Sequence, residues 1–96
     1  MEITFDPAKR DWTLEVRGLD FLRCEEVFDG TETTQEDRRV SYGEQRWTTA
    51  GWLDGRMVIV VWTIRNGTRR IISLRKANER EQARFGGKLR AADVTR

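Results

Sequence analysis

The sequence has no histidine, a single cysteine and a single proline in 96 residues. Without an imidazole, histidine acid–base catalysis and every metal site that needs a histidine ligand are excluded. Cys24, being alone, cannot close an intrachain disulfide or build a structural zinc site. No apolar run approaches the roughly 20 residues of a membrane helix, and the longest is Met57 to Trp62. The opening residues Met1 to Asp6 lack the basic and apolar regions of a signal peptide. The expectation is a single chain in a reducing cytoplasm, with no metal, no cofactor and no membrane partner. Any chemistry has to come from Arg, Lys, Glu, Asp, Ser, Thr or Tyr42.

What is present is charge, unevenly placed. Residues 1–48 carry 7 Lys/Arg against 12 Asp/Glu, a net −5, and residues 49–96 carry 11 against 4, a net +7. A basic half joined to an acidic half points to a polyanionic partner, with a mixed, solvated surface as the plainer reading.

Hydrophobic spacing organises the chain. Ile3 and Phe5 alternate and predict a short strand. Asp6-Pro7 opens a helix, with Asp6 as cap and Pro7 at the first position, where its missing N–H costs nothing. Ala8, Trp12 and Val16 repeat at four and predict its buried face, and Gly18 stops it. Asp20 caps a second predicted helix with Phe21, Cys24, Val27 and Phe28 inward. Residues 31–44 are polar and predict a short edge strand and a loop. Strands follow over Gln45 to Trp52, Arg56 to Arg65 and Thr68 to Arg75, the last two joined by Asn66-Gly67, which suits a type I′ turn. Lys76 to Phe85 predicts a short helix that Gly86-Gly87 stops. The fold class expected is α+β: an antiparallel β-sheet packed against two N-terminal helices, with a short C-terminal helix. Residues 1–85 form one domain and 86–96 a flexible tail.

Basic residues cluster on and beside the last hairpin: Arg56, Arg65, Arg69, Arg70, Arg75, Lys76, Arg80 and Arg84. With a two-residue turn, Arg65, Thr63 and Arg70 share one sheet face and Arg69, Ser73 and Arg75 the other, unless a bulge intervenes. Guanidinium groups keep their charge and offer a planar fork to phosphate oxygens. The plainer reading of the same arginines is a soluble edge. Trp12 and Trp62 predict core positions, while Trp47 and Trp52 pack on the sheet or stack on bases. Glu79 and Glu81 lie near the basic hairpin as candidate bases.

The order of these pieces resembles the BrnT family, the toxins of type II toxin–antitoxin pairs in the wider RelE/ParE-like group. Phe5-Asp6-Pro7-Ala8-Lys9 resembles its opening, Gly18-Leu19-Asp20-Phe21 its helix-to-helix turn and Val27-Phe28-Asp29 the end of its second helix. Asp37-Arg38 and Tyr42-Gly43-Glu44-Gln45-Arg46 resemble its acidic and Gly-Glu stretches. Gly51 and Gly55-Arg56 flank its hairpin. Val60 to Arg65 and Arg70 to Ala77 resemble its most diagnostic region. Arg17 stands where the family usually has a histidine, and Phe85 where a tyrosine is common.

The resemblance implies a RelE-like sheet against helices and a metal-independent endoribonuclease that inhibits translation. It also implies a ribbon-helix-helix antitoxin of the BrnA kind as partner, with RNA as substrate and DNA reached only through the antitoxin. Arg65, Arg70 and Arg75 are the expected phosphate-stabilising catalytic residues, with Glu81 as base. Arg17, Lys76 and Arg56 are the expected substrate-binding residues. The alternative is a toxin-like module with little or no catalysis that mainly binds its antitoxin.

Overall fold

A computed structural model describes residues 1–38, 41 and 43–94, and of residues 88–94 the backbone only. Tyr42, named above among the candidates, lies outside the described residues. The chain runs through β1 (Ile3–Phe5), α1 (Pro7–Arg17), a 3-10 segment (Phe21–Glu26), β2 (Thr33–Asp37), β3 (Arg46–Leu53), β4 (Arg56–Arg65), β5 (Thr68–Lys76) and α2 (Glu79–Val94). The strands form one sheet in the order β1-β5-β4-β3-β2.

This corrects the expected fold in three respects. First, the sheet is mixed: β2 to β5 are antiparallel, but β1 lies parallel to β5, pairing Ile3 with Arg69 and Phe5 with Ile71. That direction carries Phe5 over the core, where its ring meets Phe21 edge-on at 5.8 Å. Second, the expected second helix is a 3-10 segment. Its inward residues Phe21, Cys24 and Val27 recur at a strict three, which is the 3-10 period.

Third, the C-terminal helix is not short. It runs for 16 residues through Gly86 and Gly87. Two glycines cost a helix about 1 kcal/mol each, but good helix formers follow them, and Phe85 is anchored in the core. The C-terminal helix and the 3-10 segment lie on opposite faces of the sheet. The 3-10 segment packs on the face that carries Val58, Val60, Trp62, Ile71 and Leu74. Phe85 of α2 packs on the opposite face, against Ala50, Met57 and Ile59.

α1 turns its predicted apolar stripe outward, with Trp12 51% and Val16 60% exposed, so Trp12 is not a core residue. The inward side is Thr13, buried, flanked by the half-buried Arg10 and Arg17. Polar links decide this orientation. Arg10 donates to both oxygens of Asp20, at 2.8 and 3.0 Å, and so ties α1 to the cap of the 3-10 segment. Arg17 donates to the Leu74 carbonyl at 3.0 Å, on the stretch of β5 beyond its pairing with β1. Trp62 is core as expected, stacked on Trp47 at 4.9 Å, with its indole N–H donated to Thr49. Among the described residues, no helix is long and apolar enough to cross a membrane.

Candidate nucleic-acid interface

Where each arginine points follows from register. Cross-strand partners share a face, and faces alternate along a strand. Arg65 pairs with Thr68 and Thr63 with Arg70, so all four project from the α2 side of the sheet, as the Asn66-Gly67 turn implied. A bulge then intervenes: Val61 pairs with Ser73, Trp62 with Ile71, and Ile72 is the extra residue. After the bulge β5 is out of phase with the simple hairpin. Ser73 and Arg75 therefore join Arg65 and Arg70, and only Arg69 is left on the other face. This corrects the expected grouping of Arg69, Ser73 and Arg75, because one added residue inverts every later side chain.

Arg65, Arg70 and Arg75 thus share a face but not a point. Arg70 lies one row from Arg65, about 7 Å along the strand, whereas Arg75, opposite Ile59, is about 13 Å further on. Arg75 is turned to α2, where it grips Glu81 through two bonds of 2.7 and 2.8 Å. Glu81 also accepts the Asn78 N–H, and Asn78 in turn accepts the Glu81 N–H, a reciprocal cap at the start of α2. The position expected for a base is thereby a helix cap and strand clamp. Beside it, a cleft of about 320 Å³ separates β2 from α2.

The carboxylate that Arg65 holds is Glu44. It accepts from Arg65 at 3.0 to 3.2 Å and from Arg46 at 3.1 Å. Arg65 and, to a lesser degree, Arg46 hold its carboxyl below the usual carboxylate range. Arg46 reaches it from the same side of the sheet, since Arg46 pairs with Asp37 one row past the Trp47–Trp62 pair. The sequence alone did not single out Glu44 as a candidate; the available signal was the Gly43-Glu44 pair just before β3.

The three expected substrate-binding residues gather elsewhere. Arg17, Arg56 and Lys76 line a cleft of about 560 Å³ between the end of α1, the 3-10 segment and the β3–β4 turn. Arg56 pairs with Leu53 and Lys76 with Val58, so both lie on the 3-10 side, away from Arg65 and Arg70. The expected residues thus form two groups on opposite faces of one sheet.

Arg69 belongs to neither group. Its guanidinium lies 3.6 Å from the Phe28 ring centre and 4.6 Å from that of Trp62, and burial pushes its pKa down. Among the described residues its Nε has no hydrogen-bond partner. It is a planar cation packed between aromatic faces, a use for which lysine has the wrong shape. Cys24 is fully buried, and burial pushes its thiol up to about 12, so it is no nucleophile. Among the described residues no three Cys, Asp or Glu side chains converge as a metal site would require.

No curated protein matches the chain. Residues 5–81 match the family described as the ribonuclease toxin, BrnT, of type II toxin–antitoxin system. That stretch holds the hairpin, both arginine groups and Glu44, and by it the chain belongs to the BrnT family of ribonuclease toxins.

Proposed function

We propose that the chain cleaves RNA without a metal ion, stops translation by doing so, and works on the sheet face that carries Arg65 and Arg70. One arrangement carries this reading: the Glu44 carboxylate sits between Arg46 and Arg65, and Arg65 lies one strand row from Arg70. The ribose 2′-hydroxyl attacks the adjacent phosphorus and gives its proton to Glu44. The bond from phosphorus to the 5′-oxygen breaks, leaving a 2′,3′-cyclic phosphate; the departing oxygen takes a proton from water, and the resulting hydroxide takes back the proton held by Glu44. Arg65 and Arg70 offer fixed, permanently charged forks to the phosphorane, whose added charge such donors stabilise more than they stabilise the ground state. With no histidine in the sequence and a base of lowered pKa, proton transfer is inefficient and the enzyme is slow.

Family membership implies a cognate antitoxin. In that role we place a ribbon-helix-helix protein, through which the complex reaches DNA.

A second reading, in which the fold binds its antitoxin but catalyses little, is favoured by the carboxylates that already occupy Arg65 and Arg75. Purified chain incubated with RNA in excess chelator decides between them. Cleavage to 2′,3′-cyclic ends is expected. Intact RNA, or cleavage that returns only with a divalent ion, would reject the proposed chemistry.

A further inference from the structure

We propose that the cleft of Arg17, Arg56 and Lys76 seats an acidic, leucine-bearing segment of the cognate antitoxin. The inference rests on the toxin–antitoxin reading and adds to it the surface and the chemistry of the contact.

The cations are placed by the strands. Arg56 opens β4 and Lys76 closes β5 on the same face, with Lys76 opposite Val58. They are diagonal neighbours, about 7–8 Å apart between α-carbons. Both are exposed, and neither has a carboxylate partner among the described residues. The acids at the rim are already taken: Asp20 by Arg10, and Asp54 by Arg23 at 2.6 Å. Arg17 is held in place from two sides, by the Leu74 carbonyl and by the Trp12 ring 5.0 Å away. The cleft therefore presents unneutralised positive charge from Arg56 and Lys76 beside a held Arg17.

Its other lining is aliphatic. Leu19 and Leu53 form the floor, and Leu14 stands 42% exposed on the wall. An exposed leucine beside unpaired cations matches an amphipathic segment whose acids reach Arg56 and Lys76 while its leucines cover Leu14. RNA fits less well. Among the described residues the lining has no aromatic ring on which a base could stack and no hydroxyl side chain. Stable pairs bury roughly 1,200–2,000 Å² in total, so the cleft is one anchor within a longer contact.

The test uses the full chain and the product of the gene beside it. Arg56→Glu combined with Lys76→Glu should weaken the complex at least 100-fold, and wild-type affinity should fall with added salt. Arg80→Glu, on exposed α2, should leave affinity within twofold. A melting temperature for each variant separates lost contact from lost fold. Arg56→Gln with Lys76→Gln provides a milder pair and should weaken binding about tenfold. Unchanged affinity in both double variants, or reduced RNA binding with the complex intact, would overturn the assignment and in the latter case give the cleft to RNA. A wild-type chain that forms no complex would remove the partner itself, and the cleft assignment with it.

Discussion

Arg75 and Glu81 face each other fork to fork, with both carboxylate oxygens bonded at 2.7 and 2.8 Å, across the joint between β5 and α2. Glu81 also closes the cap at Asn78. Its loss should therefore register as stability. Glu81→Ala is expected to cost about 1 kcal/mol, a Tm fall of roughly 4–8 °C for a domain of this size. Glu81→Gln should cost less, because an acceptor remains for the Asn78 N–H. Calorimetry beside RNA cleavage per folded molecule checks this. A large loss of cleavage with no change in Tm would return Glu81 to the chemistry.

Arg65→Ala and Arg70→Ala are each expected to lower the cleavage rate about 10²–10³-fold with little change in Tm, by analogy with removal of one transition-state donor. Arg65→Lys should recover only part of the rate, since an ammonium keeps the charge and loses the planar fork. Single-turnover kinetics measure this, and full activity in both alanine variants would reduce these arginines to surface charge.

Glu44→Gln should slow cleavage at least 10²-fold, within the usual range for a general base. RNA affinity should hold or rise, because the carboxylate competing for Arg65 and Arg46 is gone. The pH profile carries a second signature. The Glu44 carboxyl lies below the usual range, so the rate should be flat across about pH 6–8 with no inflection near the imidazole value of about 6.5.

Stability should follow the same carboxylates. Arg65 lowers Glu44, Arg10 lowers Asp20, and Arg23 lowers Asp54 and Glu26. A carboxyl whose pKa is depressed by folding stabilises the native state above its unfolded value. That contribution is lost as pH falls through the folded value. Tm should be level from neutrality to about pH 5 and decline below about pH 4. The decline should be shallow, since these pairs lie near solvent and water screens them. A Tm that rises on acidification would contradict the ion pairs.

Among the glycines, Gly51 is the one where an added β-carbon meets its neighbours. A β-carbon there would lie 2.6 Å from Val27 Cγ1 and 3.2 Å from the Val27 carbonyl oxygen. Gly51→Ala should cost about 1–3 kcal/mol, as overpacking a filled core does. Denaturant titration measures it, and a neutral result would mean the 3-10 segment can lift from β3 freely.

What local chemistry specifies could be read in advance. The Asn66-Gly67 turn marked the end of β4 at Arg65, and Asp6, Pro7 and Gly18 bounded α1. What distant partners decide could not. The spacing of Ala8, Trp12 and Val16 gives a helix its period, but Asp20 and the Leu74 carbonyl choose which side faces in. The bulge at Ile72 has no turn residue to mark it, and it alone moves Arg75 to the face of Arg70. The strand Ile3–Phe5 is too short to declare its direction. Glu44 lies in a polar stretch without period, so only the folded chain brings it to Arg65.

β1 meets its partner strand 66 residues later, Phe5 against Ile71. A ribosome adds roughly 5–20 residues per second, so the first strand emerges about 3–13 s before the strand beside which it will lie. Until then Ile3, Phe5 and the Phe21 cluster have no cover. A chain cut short before β5 lacks both Arg70 and the strand that joins β1 to the sheet, and is left as an open fragment ready for proteolysis. The sheet face on which catalysis is proposed is therefore incomplete until residues 68–76 have been added.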